Sequence, residues 1–107
     1  MSTITTLIID NGEPYDDHRT YFVRVDSAED GLALRDMIEA VGRCSVYALG
    51  EMQWFGEGDP VGIEADESWL TDCFGWHQEG VDRVRAMVRL SPTSVAQRVL
   101  AALEASL

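Results

Sequence analysis

Lysine is absent from this sequence, and all eight of its basic residues are arginine. A phosphate-cradling loop of the lysine-containing kind is thereby excluded. Gly56-Glu57-Gly58-Asp59 reads as a turn that puts two acids where a phosphate would sit. Gly75 and Gly80 flank Trp76-His77-Gln78-Glu79 without the strand, Gly-rich turn and helix order that nucleotide sites need. No Gly-x-Ser-x-Gly elbow occurs, so serine hydrolase chemistry of that design is not expected. Cysteine is nearly absent too. Cys44 and Cys73 stand alone, too few for a disulfide framework, and both are expected to be free buried thiols. No apolar run approaches the roughly 20 residues that cross a bilayer. Met1-Ser2-Thr3-Ile4 lacks the positive start and apolar stretch of a secretory signal, so a cytoplasmic location is expected.

What is present suits one domain spanning residues 1–107, with 46% apolar residues to build a core. The excess is acid: 19 Asp and Glu against 8 Arg give a formal charge of −11. That exceeds the magnitude of about 2–8 that keeps a small domain soluble. Phosphate contacts need cations, so direct binding to nucleic acid or to an anionic membrane is disfavoured and a basic protein partner is favoured.

Residues 3–10 are β-branched and apolar and read as a strand. Asn11-Gly12 and Pro14 then punctuate a loop carrying Asp10, Glu13, Asp16 and Asp17. In residues 20–26, Tyr21, Val23 and Val25 alternate with Thr20, Phe22 and Arg24, which predicts a second strand with one face inward. Ser27 opens a helix with Glu29 and Asp30 near its positive end, Leu34, Met37, Ile38 and Val41 form its stripe, and Gly42 stops it. Residues 44–49 read as a third strand, and 51–55 with 61–65 as a hairpin around residues 56–60. A short helix is expected at 67–74, broken by Gly75, and a further helix at 79–90 with Val81, Val84, Met87 and Val88 on one face. Ser91 and Pro92 are read as the cap and first position of a last helix, lined by Val95, Val99, Leu100, Leu103 and Leu107. The sum is an α+β fold: a mainly antiparallel sheet, helices packed on one face, and two C-terminal helices.

Charge is uneven along the chain. Residues 1–43 hold nine acids and four Arg, residues 44–82 hold nine acids and no base, and residues 83–107 hold four Arg and one acid. The base-free stretch also carries Trp54, Trp69 and Trp76. Aromatics anchor the desolvated centre of interfaces while surrounding charges steer encounter. The candidate partner-binding residues are therefore Glu51, Trp54, Glu57, Asp59, Glu64, Asp66, Glu67, Trp69, Asp72 and Trp76. The competing reading is that these rings fill the core and the acids face water.

No catalytic residues, metal or cofactor are expected. Cys73 and His77 are four apart, but Gly75 interrupts them, and a metal site would have to recruit Cys44 and His18 from afar. Asp16-Asp17-His18 is followed by no spaced ligand loop. The acidic loop at Asp10, Glu13, Asp16 and Asp17, together with the base-free 44–82 stretch in a chain of this size, resembles the small acidic inhibitors that phages deploy against bacterial defence, the anti-CRISPR and antirestriction proteins. That resemblance implies an inhibitor, steric or DNA-mimicking, that blocks a nuclease or its guide-RNA surveillance complex by occupying a basic surface. Other expectations compatible with the sequence are an immunity or antitoxin protein for a basic nuclease toxin, a homodimer closed by its helical stripes, and a small enzyme or ligand-binding α+β domain. The last calls for a concave cavity holding His77 or His18 with a carboxylate partner.

Overall fold

The computed structural model describes residues 3–53, 61–64 and 67–105. Strand β1 (Thr3–Asp10) is the centre of a three-stranded antiparallel sheet, with β2 (Thr20–Arg24) on one side and β3 (Ser45–Gln53) on the other. Its β-branched sequence fits that position, since such side chains pack well on a pleated surface. The register places Ile8 opposite Phe22 on one flank and opposite Ala48 on the other. A register shift follows, between Ile8 and Ile9, because β3 carries Tyr47 as an extra residue. The bulge leaves Tyr47 exposed.

Helix α1 (Ala28–Val41) carries the chain from β2 to β3. It starts where Ser27 Oγ accepts the Asp30 amide at 3.1 Å and ends where Gly42, at φ 79°, returns its amide to the Ile38 carbonyl. Both signals were legible in the sequence. α1 packs on β1 and β3, and Gly31 lets it approach so closely that a Cβ there would meet a Leu49 methyl at 2.5 Å. Three more helices follow: α2 (Glu67–Phe74), α3 (His77–Leu90) and α4 (Ser94–Ala105), with α3 against α4 and α4 against α1. The fold is α+β, with Leu7, Ile9, Val23, Leu34, Ile38, Ile63, Trp69, Phe74, Val84 and Val99 in one core.

Two local expectations change. Residues 51–53 continue β3 alongside β1, whereas Val61 bridges Val23 of β2 in parallel at the other edge of the sheet. Two segments bonded to opposite edges cannot be the arms of one hairpin. The last helix is capped by Thr93, whose Oγ1 accepts the Ala96 amide at 3.2 Å, while Ser91 terminates α3 through its own amide to the Met87 carbonyl. Pro92 therefore separates two helices instead of opening the second. Leu107 lies outside the described residues, and Ala96 joins Val95, Val99 and Leu103 on the buried face of α4.

Candidate functional site: an acid-lined cleft

The loop between β1 and β2 is held by its own side chains. Asn11 Oδ1 accepts the amides of Glu13 at 3.1 Å and Arg19 at 3.0 Å, and Asn11 Nδ2 donates to the Asp17 carbonyl at 3.0 Å. Asp10 Oδ1 accepts the Gly12 amide at 2.7 Å, and its Oδ2 meets His18 Nε2 at 3.0 Å. The His18 hydrogen bond, followed by that from Gly12, holds the Asp10 carboxyl below its ordinary pKa. One short 3-10 turn, Tyr15–Asp17, forms the tip, with Tyr15 at φ 53° and almost wholly exposed. Carboxylates that would otherwise wander in a flexible loop are thereby presented from a fixed frame.

Facing this loop is the corner between α2 and α3. Gly75, at φ 113°, turns the chain there, and a Cβ on Gly80 would lie 2.5 Å from the Gly75 carbonyl oxygen. Two glycines are thus required for the corner to close. Arg83 Nη1 fastens it by donating to the Phe74 carbonyl, while Arg83 Nη2 reaches Glu79 at 3.0 Å. The turn carries Trp76 outward, 59% exposed, with its ring centroid 6.0 Å from that of His77. His77 opens α3 at φ 54°, an uncommon conformation for a residue with a side chain.

Between loop and corner lies a cleft of 520 Å³, lined by Glu13, Asp17, Arg19, Tyr21, Asp72, Trp76, His77 and neighbouring residues. Its floor is tied across the molecule by Tyr21, whose hydroxyl donates to Asp72 Oδ2 in a short hydrogen bond. Burial, reinforced by that bond, pushes the Tyr21 pKa up, so the phenol stays protonated and keeps donating. Arg43 Nε, reaching from beyond α1, donates to the Asp72 backbone carbonyl at 3.1 Å and leaves the carboxylate alone. Among the described residues, none of Glu13, Asp16, Asp17 and Asp72 makes an ion pair.

The residues singled out from sequence divide accordingly. Asp72 and Trp76 meet at the cleft. Trp69 does not: it is fully buried, edge-on to Phe74 with centroids 6.3 Å apart. Helix α2 places Leu70, Cys73 and Phe74 in the same core, so Trp69 fills the interior and is withdrawn from the partner surface. Glu64 is exposed but engaged by Arg98, with Nε to Oε1 at 2.9 Å and Nη2 to Oε2 at 3.1 Å. Trp54, Glu57, Asp59 and Asp66, and the side chains of Glu51 and Glu67, lie outside the described residues. Cys44 and Cys73 are both free and buried. Hydrogen bonding with Cys44, reinforced by burial, pushes the Cys73 thiol pKa up. Among the described residues, no group of three or more His, Cys, Asp or Glu side chains converges as a metal site.

Sequence reasoning assigned no site role to Tyr21 or Asn11; the loop acids Glu13 and Asp17 entered only through the resemblance to acidic inhibitors, and His77 only through the ligand-pocket alternative. Asn11 next to Gly12 signalled a turn, but its hydrogen-bonding of both ends of the loop depends on the strand register. Nothing local joins Tyr21 to Asp72 across 51 residues. Chemically, the cleft offers carboxylates, an exposed indole and a fixed phenol. His77 lines the cleft without a carboxylate hydrogen-bond partner among the described residues, whereas His18 pairs with Asp10 but does not line the cleft. No family model, curated protein or solved structure matches the chain.

Proposed function

We propose that this chain is a non-enzymatic acidic binding protein that inhibits a nucleic-acid-handling protein or complex by covering its basic surface. The observation that carries this reading is the set of carboxylates, Glu13, Asp16 and Asp17, held on a self-bonded loop with no ion-pair partner among the described residues, beside an exposed tryptophan. A protein of charge −11 is attracted to cationic grooves at long range and repelled by nucleic acid itself. Carboxylates fixed in place can substitute for phosphates at little ordering cost, and the Trp76 ring adds apolar contact at short range. Anti-CRISPR and antirestriction inhibitors are the class that this combination suits. Blockade of that kind needs no chemistry from the blocker.

The test is competition. The immobilised chain is offered purified bacterial nucleases and guide-RNA effector complexes, and retention is measured with duplex DNA added and as salt rises. Retention is expected to fall steeply from about 50 to about 200 mM salt, as phosphate-like contacts require. DNA is expected to displace the bound protein, and the nuclease activity to drop when the chain is present. Retention indifferent to both salt and DNA would overturn the proposal.

A further inference from the structure

Resting on that reading, we infer that the cleft is a receptor for one arginine side chain of the partner, stacked on Trp76 and paired with Asp72. The lining supplies three carboxylates, Glu13, Asp17 and Asp72, against one guanidinium, Arg19. A positive guest is therefore favoured by charge alone. The protein's own arginines do not take that place. Arg19 Nη1 donates to the carbonyls of Asp16 at 3.2 Å and His18 at 3.3 Å. Arg43 is bound to a backbone oxygen, and Arg83 to the corner and to Glu79. Each cation bordering the site is committed to fixing the frame, and the carboxylates are left for a guest.

Shape and geometry then narrow the cation. The cleft volume of 520 Å³ falls in the range of about 300–1,000 Å³ typical of ligand pockets, ample for a long side chain with its flanking backbone. An ionised carboxylate has about four lone-pair directions. Tyr21 uses one on Asp72, which leaves acceptor capacity and fixes the group's orientation. A guanidinium is planar and weakly hydrated, so it can lie on the indole face while its edge forks onto a carboxylate. An ammonium is compact and strongly hydrated, and it gives up more on leaving water for a site that offers stacking. Arginine is also the residue with which basic proteins most often grip phosphate in planar, bidentate fashion. A carboxylate-and-indole receptor thus competes for a group the partner already uses on nucleic acid.

The experiment uses the intact protein and three short blocked peptides, Gly-Arg-Gly, Gly-citrulline-Gly and Gly-Lys-Gly, titrated while the indole N–H signals are followed by nuclear magnetic resonance. The arginine peptide is expected to shift the Trp76 indole and the Asp72 amide saturably while leaving the Trp69 indole unmoved. Lysine should bind at least about fivefold more weakly, and citrulline, which has the shape without the charge, should not saturate. Asp72→Asn and Trp76→Ala should each weaken the arginine peptide about tenfold or more, while Glu104→Gln should not. Equal binding of citrulline or lysine, or saturation that survives both Asp72→Asn and Trp76→Ala, would overturn the inference. If the peptide binds as described but nuclease retention ignores DNA and salt, the receptor stands and the inhibitor reading falls. If retention responds to DNA and salt yet is unchanged in Asp72→Asn and Trp76→Ala, the inhibitor reading stands and the receptor falls.

Discussion

Two populations of carboxylate divide this molecule. Around α3 and α4 the acids are matched: Arg98 holds Glu64 and Asp26, Arg85 holds Asp82 and Glu104, and Arg83 holds Glu79. Around the cleft, Glu13, Asp16, Asp17 and Asp72 have no cation among the described residues. The comparison shows that charge density along a chain and charge density in space are different quantities. The 44–82 stretch contains no base, yet arginines from elsewhere in the sequence reach several of its acids. The β1–β2 loop lies in a part of the chain that does contain arginines, yet Glu13, Asp16 and Asp17 have no ion-pair partner among the described residues, and the loop's own Arg19 bonds to carbonyls instead.

The same division runs through the tryptophans, and breaking it should give the largest effects. Trp69→Ala empties a fully buried ring site and should cost about 3–5 kcal/mol of stability by chemical denaturation. Trp76→Ala removes a ring that is mostly in water, so the same measurement should move by no more than about 0.5 kcal/mol. Comparable losses at both positions would mean that Trp76 is structural. The Trp69 indole N–H has no hydrogen-bond partner among the described residues, so Trp69→Phe, which deletes that buried donor, should recover most of what alanine loses.

The corner that aims Trp76 into the cleft can be tested by glycine replacement. Adding a methyl inside a helix ordinarily gains up to about 1 kcal/mol over glycine. At Gly80 that methyl would collide with the backbone of Gly75, which cannot rotate away, so Gly80→Ala should cost about 1–3 kcal/mol instead. Gly31→Ala is the control. Its contact is the end of the Leu49 side chain, which can turn aside, so the helix gain should survive there. A Gly80→Ala protein as stable as the original would show that the corner is not closed in solution.

Charge removal should separate the two populations by sign. Glu64→Gln breaks a two-pronged contact with Arg98 and should cost about 0.2–1 kcal/mol, the scale of solvent-exposed pairs. Asp17→Asn relieves repulsion among neighbours that have no ion-pair partner among the described residues and should be neutral or stabilising by a few tenths of a kcal/mol. Raising the salt should shrink both effects. A protein in which Asp17→Asn destabilises and Glu64→Gln does not would have its matched and unmatched acids the other way round.

How much of this was legible beforehand follows from the range of each interaction. Period-two alternation at Tyr21, Val23 and Val25, the Ser27 and Gly42 boundaries of α1, and the break of α2 at Gly75 are local signals, and the structure agrees with each of them. The hairpin expected from residues 51–65 failed because pairing depends on which sheet edge is free, which no local pattern states. Trp69 and Trp76 look equivalent in composition, and only the phase of α2 sends one inward and the turn at Gly75 sends the other out. The cleft was the least legible feature. It depends on contacts such as Tyr21 with Asp72, joining segments that only the finished fold brings together.

The smallest effect is also the one whose direction is most tightly fixed. Arg98, through its hydrogen bonds above all, holds the Glu64 carboxyl below its ordinary pKa. A group whose pKa is depressed by folding stabilises the folded state above its unfolded value, and it loses that contribution as pH falls through the folded value. Stability should therefore decline on acidification below the ordinary carboxylate range, and Glu64→Gln should flatten that part of the profile while leaving the shape near neutrality unchanged. Because Glu64 is largely in solvent, the flattening should amount to a few tenths of a kcal/mol at low salt and shrink further as salt is added. Asp17→Asn, which breaks no ion pair among the described residues, should not flatten the acid limb. Denaturation curves for the three proteins across about pH 3 to 7 would decide it, since equal flattening in both variants would show that the two populations do not differ in solution.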